Sequence, residues 1–181
     1  VRNGDKLALL IGTACDRAGF ALQDGDVLVL AQKIVSKAEG RQVRLADVEV
    51  SPEALKLAGE VDKDPRLVEL VLQESDTIIR KTRGVLIVRH RLGIVSANAG
   101  IDQSNISHDA GESALLLPLD PDESARRVRA DFAARKGTGG GLNLGIIISD
   151  SINRPWRMGT VGIAIGSAGI TVLDDRRGQA D

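Results

Sequence analysis

A chain of 181 residues, 43% hydrophobic and 27% charged, is long enough for one substantial core or two small, intimately packed subdomains, and lies far from the composition of disordered chains. Lys plus Arg number 24 against 25 Asp plus Glu, so no net field favours nucleic acid or an anionic membrane, and any grip on phosphates must come from local geometry. Two Phe, one Trp and no Tyr leave little for stacking bases, and no apolar run approaches the roughly 18 residues that span a bilayer. The lone Cys15 excludes an intramolecular disulfide and a cysteine-based zinc site; it fits a reducing compartment, and the cytoplasm is the expected location. The partner expected on these grounds is a small molecule, with no nucleic acid and no membrane.

Leu7, Leu10, Ile11 and Ala14 recur at helical spacing before Gly19 and predict a helix over 5–18. Val27 to Leu30 read as a short buried strand entered through a Gly-Asp turn, followed by the polar, lysine-bearing "QKIVSKAEGR". Helices are predicted over 52–62 and 65–75, each with proline in its first turn. The stretch "SDTIIRKTRGVLIVRHRLGIVSANAG" reads as a meander of three strands broken at Arg83-Gly84 and Leu92-Gly93. A short strand in "SALLLPL" leads to a helix with Pro121, Asp122 and Glu123 in its first turn, where negative charge suits the positive end of the dipole. After the connector "GTGGG", Leu142 to Ile148 predict another buried strand, and "GTVGIAIGSAGI" spaces apolar residues with glycines that permit close backbone approach. Strands and helices mix without strict alternation, so the predicted class is α+β, with mixed sheets and flanking helices rather than a doubly wound sheet.

Four stretches carry candidate chemistry, each with a plainer structural reading beside it. Asp102 to Asn105 in "AGIDQSN" are ordinary turn residues or the start of a metal site. The "SDS" at 149–151 follows three isoleucines, so Asp150 is expected at the end of a buried strand. A carboxylate there is a cap on a helix, or is exposed, or binds metal. If Asp102 and Asp150 converge, they offer the hard oxygen ligands that Mg²⁺ or Mn²⁺ prefers, with the hydroxyl of Ser151 and phosphate oxygens completing the shell. Lys33 and Lys37 would share one helix face beside Gln32, either in solvent or as point charges for phosphates. Arg154 and Arg157 flank Trp156, either stacked on the indole or set as a planar clamp on a carboxylate or phosphate. There is no phosphate-loop motif and no nucleophile elbow; His90, among arginines in a strand, reads as a surface residue, and His108 sits in a polar loop.

Taken in order, "GDVLVLAQKIVSKAEGR", "DPRLVELVLQES", "VLIVRHRLGIVSANAGIDQSN", "LLLPLDPDESARRVR", "IIISDSINRPWRMGTVGIAIG" and "DDRRGQAD" resemble the coenzyme F420:L-glutamate ligases across nearly the whole chain. The resemblance implies a single catalytic ligase domain over 1–181, a mixed α/β fold peculiar to the family, and an intertwined homodimer. It implies a GTP-dependent enzyme that adds L-glutamate to the lactyl carboxylate of the deazaflavin F420-0, then adds further glutamates through γ-linkages. Mg²⁺ or Mn²⁺ and K⁺ are the implied ions. By the same resemblance Asp102, Asp150 and Ser151 match metal-ligand positions, and Gln32, Lys33, Lys37 and Asn105 match positions that contact GTP. Relatives extend before Val1 and past "GQAD", and those segments are expected to add nucleotide and metal contacts. The mechanism expected is attack of the acceptor carboxylate on the γ-phosphate, giving an acyl phosphate that the glutamate amine displaces, with GDP and phosphate released. Asp102, Asp150, Arg154 and Arg157 make up the expected catalytic set, the two arginines meeting the anionic acceptor. The rivals are a GTP- and metal-dependent amide ligase for another small carboxylate, a non-catalytic nucleotide-binding relative and, more distantly, a metal-dependent phosphatase.

Overall fold

The computed structural model describes residues 1–103, 112–135, 141–153 and 158–178. Its elements in chain order are α1 (Leu7–Arg17), β1 (Val27–Ala31), α2 (Gln32–Ala38), β2 (Gln42–Arg44), α3 (Pro52–Val61), α4 (Pro65–Gln73), β3 (Ser75–Thr82), β4 (Val85–His90), β5 (Val95–Ala97), β6 (Ser113–Leu115), α5 (Pro121–Ala134), β7 (Gly145–Asn153) and β8 (Thr160–Ala168). The architecture is α+β, as the sequence predicts. No helix among the described residues is long and apolar enough to cross a membrane.

Three helices start as their sequences dictate. Ser51 Oγ accepts the Ala54 N–H at 3.1 Å, Asp64 Oδ1 the Arg66 N–H at 2.8 Å, and Asp120 Oδ1 the Glu123 N–H at 2.8 Å, with proline at the first helical position of α3, α4 and α5. These caps satisfy backbone donors that a helix start otherwise leaves without partners.

The first sheet has the order β1-β7-β8, with β1 parallel to β7 and β8 antiparallel to it. Helices α1, α2 and α5 cover one face, where Leu30, Ile146, Ile148, Leu144, Val128 and Phe132 form the core. Covering one face only has a visible consequence. Leu30 is buried, but Val27 and Val29 are 47% and 63% exposed, so the expectation of a wholly buried β1 holds for one side alone. In α1 the core side is Leu7, Ala8, Ile11 and Cys15, while Leu10 faces outward. The strand expected at Leu142 begins later, at Gly145, because the Asn143 backbone is engaged by Asp24 and Gly25.

The expected meander is present as the antiparallel sheet β3-β4-β5, with α3 and α4 packed on the side that carries Leu86 and Val88. A two-stranded ladder of β2 and β6 lies beside it. Sequence reading missed β2, whose three residues pair with β6 some seventy positions later.

His90 is fully buried, which corrects its reading as a surface residue. Its Nδ1 accepts the Leu92 N–H at 3.0 Å, so the ring proton sits on Nε2, 3.3 Å from Glu74 Oε2. Glu74 is also met by Arg41 Nη2 at 2.8 Å and Arg91 Nη2 at 3.1 Å, and Arg41 Nε donates to the Leu117 carbonyl at 2.9 Å. Arg41 follows α2 and Glu74 ends α4, so this carboxylate ties the first sheet's helical layer to the meander.

One close approach fixes how α5 lies on the first sheet. A Cβ at Gly166 would stand 2.4 Å from the Pro121 carbonyl carbon and 2.5 Å from its oxygen, both backbone atoms that no rotamer change can move. Gly166→Ala is expected to lower stability by about 2 kcal/mol, read as a lower urea midpoint with unchanged slope.

Candidate functional site

A cavity of about 770 Å³ opens between the first sheet and the meander. One wall is built from the end of β1, the start of α2 and residues 149–152 of β7; the other is built from β4, β5 and the turn after them. Its size lies in the range of small-molecule clefts.

The chain reaches Asp102 through three successive left-handed residues: Asn98 (φ 51), Ala99 (φ 56) and Gly100 (φ 70). Asn and Gly tolerate this backbone; Ala99 is strained by about 1 kcal/mol or more and is held by complete burial against the meander core. Gly100 also lies close under Leu117, since a Cβ there would meet that side chain at 3.1 Å. Beyond the turn, Asp102 exchanges backbone hydrogen bonds with Leu115, its N–H donating at 3.0 Å and its carbonyl accepting at 2.8 Å. The backbone is thus pinned on both sides, and the side chain is turned into the cavity, 19% exposed.

Asp150 lies within β7 rather than at its end, a correction to the sequence expectation. The strand continues to Asn153 against β8, but its parallel partner β1 stops opposite Ser149. Asp150 therefore sits just past the edge that β1 leaves open. Among the described residues it caps no helix; its Oδ1 accepts the N–H of Ser151 at 2.8 Å. Burial raises the Asp150 carboxyl above its ordinary range, and the negative charge of Asp102 adds to the rise. The Ser151 N–H and the Lys33 charge oppose it.

Lys33 projects from the first turn of α2 and forms an ion pair with Asp102 Oδ2. Gln32, beside it, is buried and its Oε1 accepts from Ser36 Oγ at 2.9 Å, leaving the amide NH₂ as the group it can offer the cavity. Ser151 is exposed at the cavity edge. Lys37 is one turn further along α2 and is not part of the cavity lining. Asn105, Arg154 and Arg157, like His108 and Trp156, lie outside the described residues.

Two carboxylates close enough to repel one another and partly withdrawn from water, one ion-paired with Lys33 and the other within range of its charge, suit a divalent cation. Mg²⁺ is commonly held by one or two carboxylates, with waters and substrate phosphates completing its octahedron. Among the described residues no group of three or more His, Cys, Asp or Glu is placed to hold a metal. The donor set therefore fits an ion that arrives with phosphate oxygens better than one caged by protein alone. Asp102, Asp150 and the Ser151 hydroxyl are the residues that would hold it.

The opposite wall was not anticipated. Val85, Ile87, Val95 and Ala97 line it, together with Ser96, Asn98 and Lys63. A signal existed: "VLIV" at 85–88 is a continuous apolar run, whereas a strand with one watery face alternates. Leu86 and Val88 serve the core, and Val85 and Ile87 serve the cavity.

Comparison with known proteins places these residues in a family context. The family model described as F420-0:gamma-glutamyl ligase matches residues 1–181. Over 181 residues the chain is 44% identical to the coenzyme F420:L-glutamate ligase of Methanopyrus kandleri, covering 100% of this chain and 67% of that protein. It is 44% identical over 178 residues to the protein of the same name from Methanothermobacter thermautotrophicus, covering 98% and 68%. With that of Methanocaldococcus jannaschii the identity is 39% over 164 residues, covering 91% and 63%. The chain thus spans about two thirds of the length of these relatives.

Proposed function

This chain belongs to the F420-0:gamma-glutamyl ligase family, and from that premise we propose that it joins L-glutamate to the deazaflavin F420-0 in a GTP-dependent reaction at the cavity between the two sheets. The observation that carries the reading is the convergence of Asp102, Asp150 and Lys33 on one cavity, in a chain matched by the family model along its whole length.

The reaction sets an anion against an anion, because a carboxylate must approach a triphosphate. A divalent ion, when bound, supplies the charge that draws phosphate oxygens together and eases departure of GDP. This chain's residues do the rest. Asp102 and Asp150 would hold that ion beside the phosphate end; Lys33, ion-paired with Asp102, is the cation that can turn from it to a phosphate oxygen. Gln32, anchored through Ser36, offers its amide NH₂ to the same end. A carboxylate oxygen of the acceptor then forms a bond to the γ-phosphorus as the bond to the GDP oxygen breaks. The glutamate amine attacks the resulting acyl phosphate, and phosphate leaves with the carboxylate oxygen. No covalent nucleophile on the protein is required. Further rounds would use the newly added glutamate as acceptor.

The test is incubation with F420-0, L-glutamate, GTP and Mg²⁺ or Mn²⁺, with the deazaflavin followed by mass spectrometry. A product heavier by one or more glutamyl units, formed only with GTP, is the expected result. GTP turnover with a different small carboxylate, while F420-0 stays unchanged, would reassign the substrate and keep the ligase chemistry.

A further inference from the structure

The cavity is chemically divided. Its β1–α2–β7 side carries Asp150, Lys33 and Ser151, with Asp102 beside them, whereas the β4–β5 side presents mainly Val85, Ile87, Val95 and Ala97, with Ser96 and Asn98 as its polar members. These aliphatic groups project from the sheet face opposite the one packed on α3 and α4, since Ile87 pairs with Ala97 while Leu86 and Val88 are buried in the core. Val85 is 39% and Val95 49% exposed, an apolar surface without cover from the described residues and turned toward the reacting groups.

We propose that this wall is the subsite for the flat deazaflavin ring of the acceptor, which lies against Ile87 and Val95 while its carboxylate tail reaches across to Asp102 and Asp150. The inference rests on the ligase reading above and names where that reaction's acceptor sits. Three observations favour it. A ring system with one anionic tail matches a cleft with one apolar and one charged wall, and burying the ring face against aliphatic groups supplies affinity without directional partners. Ser96 and Asn98 also line the cavity, but the face formed by Val85, Ile87, Val95 and Ala97 contributes no side-chain hydrogen-bonding groups, so a ring lying on that face is held by apolar contact rather than by the edge-reading that discriminating GTP requires. Lys63 also lines the cavity, where a cation complements an anionic acceptor.

Ile87→Ala and Val95→Ala remove ring contacts, and Ala97→Phe fills the space. Val95 and Ala97 are exposed in the free protein, so their variants test the wall without opening the core, and a thermal melt checks each fold. F420-0 binding is followed by deazaflavin fluorescence without nucleotide, and GTP binding by calorimetry with Mn²⁺. The expected result is about tenfold weaker F420-0 binding in each variant, with GTP affinity unchanged. Weakened GTP binding with F420-0 unaffected would overturn the proposal and give the wall to the base, and unchanged affinity for both would overturn it as well. Wild-type protein that does not bind F420-0 would instead overturn the ligase reading, and this inference with it.

Discussion

Asp150→Asn lowers the ligation rate by about a thousandfold, yet the metal-free variant unfolds at a temperature about 1–2 °C higher than the wild type. Both halves follow from the same carboxylate. In the folded chain its ionised form is disfavoured by burial and by Asp102, as its raised pKa records. Replacing it with a neutral isostere removes that penalty, and a melting-point rise of this size corresponds to about 0.5 kcal/mol in a chain of this length. The same change removes half of the carboxylate pair that would hold a divalent cation, and loss of that cation's charge would cost on the order of 4 kcal/mol in the transition state. A residue kept for packing would lose stability and activity together. Steady-state kinetics and a melt in chelator on the same preparation separate the two cases.

Glu74→Ala has the largest expected effect on stability, a loss of about 3 kcal/mol at neutral pH. Burial pushes the Glu74 carboxyl up, but hydrogen bonds from His90, Arg41 and Arg91 and the Arg41 charge outweigh it and bring the group from an ordinary 4.5 to about 2. A carboxyl depressed in the folded state contributes stability that is fully present above about pH 4.5 and is lost as pH falls toward 2. The shift corresponds to about 3 kcal/mol, and truncation leaves Arg41 and Arg91 with no carboxylate in a mostly buried setting. Urea unfolding from pH 7 down to 2.5 should show wild type and variant far apart at neutral pH and converging in acid. Because Arg41 and Glu74 join the layer bearing Gln32 and Lys33 to the sheet bearing Ile87, the variant is also expected to raise KM for the acceptor before the protein unfolds.

Much of this architecture is legible in the sequence where local signals agree. Prolines at the first position and Ser51, Asp64 and Asp120 as caps announce α3, α4 and α5, and Arg83-Gly84 and Leu92-Gly93 announce the turns of the meander. The β2–β6 ladder is not legible, because three residues have no period and their partners lie far along the chain. Asp150 shows the same limit in another form. Three isoleucines signal a buried strand, but only the end of β1 opposite Ser149 makes the next residue accessible. His90 reads as polar and exposed among its arginines until Glu74 is brought to it by the fold. Within the site, Asp102, Asp150 and Lys33 stand out by residue type. The apolar wall does not, since Val85 and Ile87 look like any strand residues until the cavity gives their face a use.

The most direct test of the central claim, that an acceptor carboxylate is activated by phosphoryl transfer at this cavity, follows one oxygen atom. F420-0 labelled with ¹⁸O in its carboxylate is converted with L-glutamate, GTP and Mn²⁺, and the released phosphate is weighed by mass spectrometry. One ¹⁸O is expected in phosphate for each amide bond formed on labelled acceptor, because the attacking oxygen departs with the phosphoryl group. Glutamylated product accompanied by unlabelled phosphate would contradict it.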